Sequence, residues 1–344
     1  MKQLIQLAAL LLLPVAAQAQ WQTQTSHTNA SLRGLCAVSD KVAWASGTQG
    51  TFLRTVDGGQ TWQVGHVPDA EKLDFRDIEA FDANTAYMLS IGNGESSRIY
   101  KTTDGGKQWT LQFKNSDPKA FFDALAFWDA RHGIAVSDPV QGRFVIITTA
   151  DGGATWQPVS PASIPQALPN EGAFAASGTC LLTQGKNNVW LGTGGASVAR
   201  VFRSTDRGRT WTVSEAPLLA GVASAGIFSL AFRDAQNGVA VGGDYQKPPA
   251  SEKNFATTSD GGRTWQLVET NKPGGFRSGA AFVREGGAWR LFAVGTAGAD
   301  VATGAGAFTK LDGENYNAVS FAKGRAQAGW AVGPRGRIAK WSPR

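Results

Sequence analysis

The chain has 344 residues, of which 42 are Gly, 12 Trp and only 2 Met; 17% are charged and the formal net charge is +6. Glycine at this density costs roughly 1 kcal/mol per site in a helix, which excludes a fold built from long amphipathic helices. A hydrophobic content of 42% with 10% aromatics excludes disorder, and without a Lys/Arg run the modest positive charge gives no sign of nucleic-acid binding.

Met1 and Lys2 open the chain, an apolar run extends from Leu4 to Val15, and Ala17-Gln18-Ala19 has the small-x-small form of a cleavage site. The run is too short to span a bilayer, so residues 1–19 are expected to be a signal peptide, with residues 20–344 exported to the periplasm or beyond. No later stretch has the length of a membrane-spanning segment. Cys36 and Cys180 fall in different repeats and are expected to be buried, unpaired thiols. His27, His66 and His132 lack metal-ligand spacing, so neither a metal nor another cofactor is expected.

Five segments then follow the form Ser/Thr-x-Asp-x-Gly-x-x-Trp: Thr55–Trp62, Thr102–Trp109, Thr149–Trp156, Ser204–Trp211 and Thr258–Trp265. Their aspartates, Asp57, Asp104, Asp151, Asp206 and Asp260, are 47, 47, 55 and 54 residues apart. A period near 50 suits a four-stranded propeller blade. In each box the aspartate can accept N–H bonds within its own turn, the glycine supplies a positive φ, and the tryptophan buries its ring beside the next strand. These positions are structural. A calcium loop would need oxygen ligands more closely spaced.

A second signature, an apolar strand ending in small residues, occurs seven times: Val42–Gly47, Thr85–Ser90, Gly133–Ser137, Val189–Gly194, Gly238–Gly243, Leu291–Thr296 and Gly329–Gly333. The sixth repeat has a decayed box, placed around Asp312 with Tyr316 near the tryptophan position. The seventh ends at Arg337–Trp341 without a box. Trp21-Gln22 repeats the Trp-Gln that closes three boxes, so Trp21–Thr25 is expected to be the outer strand of the last blade. The expected fold is therefore an all-β, seven-bladed propeller over residues 20–344, closed by its N-terminal strand, with about 46 residues per blade.

The five boxes are Asp-boxes, or bacterial neuraminidase repeats, and the chain from Trp21 onward resembles the photosystem II stability/assembly factor family of Asp-box propellers. The resemblance implies the fold closely and the function loosely, since the same repeat occurs in sialidases, other glycoside hydrolases, sorting receptors and assembly chaperones. The Arg-Ile-Pro motif of true sialidases is absent from this sequence.

In a propeller the innermost strands line a central channel. Aligning their starts gives the column Leu32, Phe75, Phe122, Phe174, Ile227, Phe276 and Tyr316, followed by Arg33, Arg76, Asp123, Ala175, Phe228, Arg277 and Asn317. Arg33, Arg76 and Arg277 are thus expected to form a basic cluster at the channel mouth, suited to a carboxylate or phosphate. Pairing with Asp74, Asp77 or Asp123 is the alternative.

Three irregular stretches are expected on the same face: Ser137–Phe144 in blade 3, Pro169–Gly172 before blade 4, and Gly242–Pro249 in blade 5. They bring Asp138, Glu171 and Asp244 onto adjacent blades, with Arg143, Arg200 and Tyr245 nearby. Arg143 and Tyr245 join the candidate ligand-binding set; Asp138, Glu171 and Asp244 are candidate catalytic carboxylates, because glycoside hydrolysis requires two such groups.

No nucleophile–base set, dinucleotide fingerprint or haem-attachment motif is present. The expected function is a monomeric, exported, non-enzymatic binding or assembly scaffold that holds a protein, an acidic glycan or a small anion at the channel mouth. The competing expectation is a glycoside hydrolase of the Asp-box propeller type.

Overall fold

The computed structural model describes residues 20–304, 306–322 and 328–342; the expected leader, 1–19, lies outside them. Seven four-stranded antiparallel sheets form the blades of a propeller. Their innermost strands are Leu32–Ala37, Asp74–Ala80, Phe122–Phe127, Leu181–Gln184, Ala225–Phe232, Gly279–Glu285 and Ala318–Phe321. Each blade continues outward through three further strands. In blade 7 the outermost is Gln20–Gln24, which pairs with Ile338–Ser342 and sets Trp21 opposite Trp341. The first and last described strands therefore share one sheet, and the ring has no open edge there.

The boxes show why their residues recur. In the first, Thr55 Oγ1 donates to Asp57 Oδ1 at 2.8 Å and accepts the Gly59 N–H at 2.8 Å. Asp57 then accepts the Thr61 N–H at 3.0 Å and the Thr61 hydroxyl at 2.6 Å. Gly59 has φ +82°, which an L side chain adopts only under strain. Each box tryptophan wedges against the preceding blade. Trp109 meets Trp44 and Phe52 of blade 1 at 6.3 and 5.1 Å between ring centroids. Trp62 donates its indole N–H at 3.0 Å to Gln24, which also accepts from Trp330 at 3.1 Å.

The decayed box lies elsewhere than expected. The third and fourth strands of blade 6 are Gly298–Thr303 and Thr309–Asp312, so the turn joining them ends at Phe308. Phe308 takes the tryptophan's role, edge-on to Phe255 of blade 5 at 5.3 Å. Asp312 instead ends the fourth strand on the opposite face, where its carboxylate accepts a 3.3 Å bond from Tyr316. Thr303 stands five residues before Phe308, where the boxes carry their aspartate.

Blade 4 departs from its siblings. Its inner strand begins only at Leu181, because the eight residues before it cross the upper end of the channel. They are Ala173-Phe174-Ala175-Ala176-Ser177-Gly178-Thr179-Cys180. The Ala173 N–H donates to Asp138 of blade 3 at 2.9 Å, and Ser177 donates to the Ser278 carbonyl of blade 6 at 2.7 Å. Thr179 donates to Ser229 of blade 5 at 2.7 Å. Apart from Phe174 the segment is made of small side chains. At Gly178, φ +78°, a Cβ would lie 2.2 Å from Asp77 Oδ1. Phe174 and Ala175, expected within the inner strand, belong to this crossing.

Candidate functional site: the channel mouth

The mouth is shaped by a repeated irregularity. The inner strands of blades 1, 2, 3 and 5 carry a β-bulge near their start, immediately after Leu32, Phe75, Phe122 and Ile227. The residues left unpaired are Arg33, Arg76, Asp123 and Phe228. A bulge re-aims its extra side chain, and here it places four expected ring members at one level of the channel.

Arg277 is not a member. Its N–H bonds the Gly242 carbonyl of the preceding blade at 3.1 Å, as Leu32 bonds Gly333 at 3.1 Å, Ile227 bonds Thr193 at 3.2 Å and Tyr316 bonds Gly295 at 3.2 Å. It therefore occupies the Leu32 position, and Ser278 occupies the Arg33 position. A slip of one residue along a strand reverses the direction of the side chain. Arg277 is consequently 1% exposed, ion-paired with Asp300 and bonded to the carbonyls of Gly274 and Phe276. Its role is structural.

Arg33 and Arg76 do come together. They line a cavity of about 400 Å³ with Phe174, Phe228, Phe276, Tyr245, Ser278 and Asn317. Arg33 donates to the Ala176 carbonyl at 3.3 Å and Arg76 to the Ala175 carbonyl at 3.1 Å, so the crossing segment forms the floor. Arg76 also pairs with Asp74 at 2.8 Å. Burial, together with the neighbouring Arg76 charge, lowers the Arg33 guanidinium to about 10, still cationic at neutral pH. The wall is aromatic: Phe174 stacks on Phe228 at 3.8 Å and 11°, Phe276 meets Phe228 edge-on at 4.7 Å, and Tyr245, 47% exposed, reaches Phe228 at 6.1 Å. Two cations above an apolar floor and wall suit a carboxylate carried on an apolar or aromatic group.

The other expected residues are placed apart. Arg143 donates to the Ile164 carbonyl and does not line this cavity. Glu171 is buried, ion-paired with Arg200, and accepts from Thr193 at 2.6 Å and from the Leu168 N–H at 2.8 Å, so both its oxygens hold the loop before blade 4. Asp244, also buried, accepts the Gln246 N–H of its own loop at 2.9 Å. Asp138 and Glu171 line a neighbouring cavity of about 480 Å³, but Asp244 does not. The three carboxylates thus form no single constellation. Cys180 is buried and burial raises its thiol well above the ordinary value; Cys36, expected buried, is only half-buried.

The sequence pointed to Asp77, Asp123 and Asp138 but not to their burial beneath the mouth. Asp77 accepts the Leu125 N–H at 2.7 Å, and burial pushes it up to about 7. Burial and the Asp138 charge raise Asp123 well above the carboxylate range, and burial raises Asp138 to about 6. An Arg-Asp pair at the head of an inner strand, as in Arg76-Asp77, was the available signal.

Fold and mouth define an Asp-box propeller whose pore is closed by its own chain and whose closed end bears two arginines among aromatic rings. Residues 13–118 match the family model described as photosynthesis system II assembly factor YCF48. The solved structure of YCF48 bound to D1 peptide aligns with a TM-score of 0.62 at 15% identity, covering 96% of this chain and 99% of that one. YCF48 from Cyanidioschyzon merolae aligns with a TM-score of 0.65 at 16% identity, covering 94% and 99%. No curated protein matches by sequence. The chain is similar to photosystem II assembly factors of the Asp-box propeller type.

Proposed function

We propose that the protein is an exported, non-enzymatic assembly scaffold that grips a carboxylate-bearing segment of a protein partner at its channel mouth. The observation that carries this reading is the convergence of Arg33 and Arg76 on one aromatic-walled cavity. Arginine forks suit carboxylates, and rings beside them accept an adjoining apolar side chain. The peptide-bound YCF48 structure supports a protein partner for a propeller of this shape. Export rests on the N-terminal apolar run. The loop carboxylates support no hydrolytic reading, since Glu171 and Asp244 are committed to holding their own loops.

The test is fluorescence anisotropy with acidic peptides bearing free or amidated C-termini. Binding should favour the free carboxylate, weaken with salt, and be lost in Arg33→Glu/Arg76→Glu. Arg143→Glu should bind like the wild type. Equal binding by the double variant, with strand content intact, would remove the mouth from consideration.

A further inference from the structure

Among the described residues, six of the seven blade interfaces contain an indole wedge. Trp62, Trp109, Trp156, Trp211 and Trp265 fill those before blades 1 to 5. Trp21 fills the one between blades 6 and 7, where it meets Phe292 at 5.8 Å and Trp341 at 5.5 Å. Between blades 5 and 6 the wedge position carries Phe308, beside Phe255, while Trp289 lies edge-on to Phe282 at 6.1 Å. Its platform is reduced as well: blade 5 carries Val239 at the second-strand position held by Trp44, Trp190 and Trp330 in blades 1, 4 and 7.

What remains is a cleft of about 510 Å³, walled by Val239, Phe255, Val268, Phe282, Leu291 and Phe308. Its rim is polar, formed by Thr257, Thr264, Gln266 and Asn271 among others. An apolar cavity of only about 150 Å³ stays dry and binds benzene. This cleft has room for a two-ring aromatic and for the polar group that carries it.

We propose that the cleft between blades 5 and 6 is a binding site for an indole-type planar aromatic group. The inference rests on the molecule's own repetition, because the six equivalent interfaces carry an indole at the wedge position and this one carries the smaller phenyl ring of Phe308. The apolar wall takes the face of the ring, and the hydroxyl and amide rim takes the polar substituent. The site uses none of the mouth residues.

The experiment titrates the full chain with 5-fluoroindole, followed by fluorine NMR line width, and in parallel with N-acetyltryptophanamide as competitor. Saturable binding is expected for the wild type, with affinity about tenfold or more weaker in Phe308→Trp, which supplies the missing ring from within. Val268→Trp fills the cleft from its other wall and gives the same reading should the first variant fold poorly. Stronger competition by the amide than by unlabelled indole assigns the site to a tryptophan within a polypeptide; the reverse assigns it to a free heterocycle. Absence of saturable binding at millimolar ligand, or unchanged binding in a folded filled variant, overturns the proposal.

Discussion

Asp77 shows how much a single side chain can contribute to pH behaviour. Burial raises its carboxyl from an ordinary 3.8 to about 7, so the folded chain holds a proton that the unfolded chain releases near pH 4. The stability linked to that proton is complete below about pH 4 and is lost as pH rises through about 7. Asp138, raised to about 6, acts in the same direction. Asp57 acts oppositely: bonds from Thr61 lower it to about 2, so its contribution is lost only as pH falls from about 4 toward 2. Asp77→Asn keeps an acceptor for the Leu125 N–H without the charge. Its urea midpoint should exceed that of the wild type at pH 8 and show a smaller change between pH 5 and pH 8. Parallel pH profiles for the two proteins would contradict this. The sequence showed Asp77 only as a possible partner for arginine. Its burial depends on a segment about 100 residues away, at Gly178, which no local pattern reveals.

At the scale of elements, the strands, boxes and closure were legible because each obeys a local rule repeated around the ring: alternation, a turn residue, a tryptophan. Legibility ended where blades depart from the repeat. Arg33 and Arg76 reach the mouth because their blades share a bulge, whereas in blade 6 the strand runs one residue out of the expected alignment, which puts Arg277 at the inward Leu32 position. The crossing left two traces in the sequence, an enlarged interval before the fourth box and the small-residue run Ala175-Ala176-Ser177-Gly178. Neither says that the run spans a pore. Gly178→Ala should disturb this crossing most directly, since its Cβ would meet Asp77 Oδ1 at 2.2 Å in a left-handed backbone. A loss of more than about 1 kcal/mol is expected, measured by urea unfolding. Loss of carboxylate-peptide binding should accompany it, because Arg33 and Arg76 are anchored to the Ala176 and Ala175 carbonyls. A variant with wild-type stability and binding would show that the crossing is not needed to hold the mouth.

For the whole molecule, the ring is held by the pairing of its first and last strands. Trp21 packs among Phe292, Tyr316, Phe321 and Trp341, with ring centroids 5.5 to 6.4 Å away. Trp21→Ala should cost about 3 kcal/mol, lowering the thermal midpoint, and deleting residues 20–24 should expose the edge of Ile338–Ser342. Exposed strand edges recruit other strands, so the deleted form should elute as higher oligomers in size-exclusion chromatography. A monomeric deletion variant with an unchanged midpoint would contradict the latch.

The latch also orients the molecule. Gln20 sits opposite Ser342, and the strand from Gln20 runs through Gln24 toward Leu32, where the mouth begins. Gln20 and Ser342 consequently both lie on the underside, where the box turns lie. Held at Gln20 or at Ser342, on a bead or a fused domain, the disc turns its two guanidinium groups away from the support and toward whatever approaches from solution.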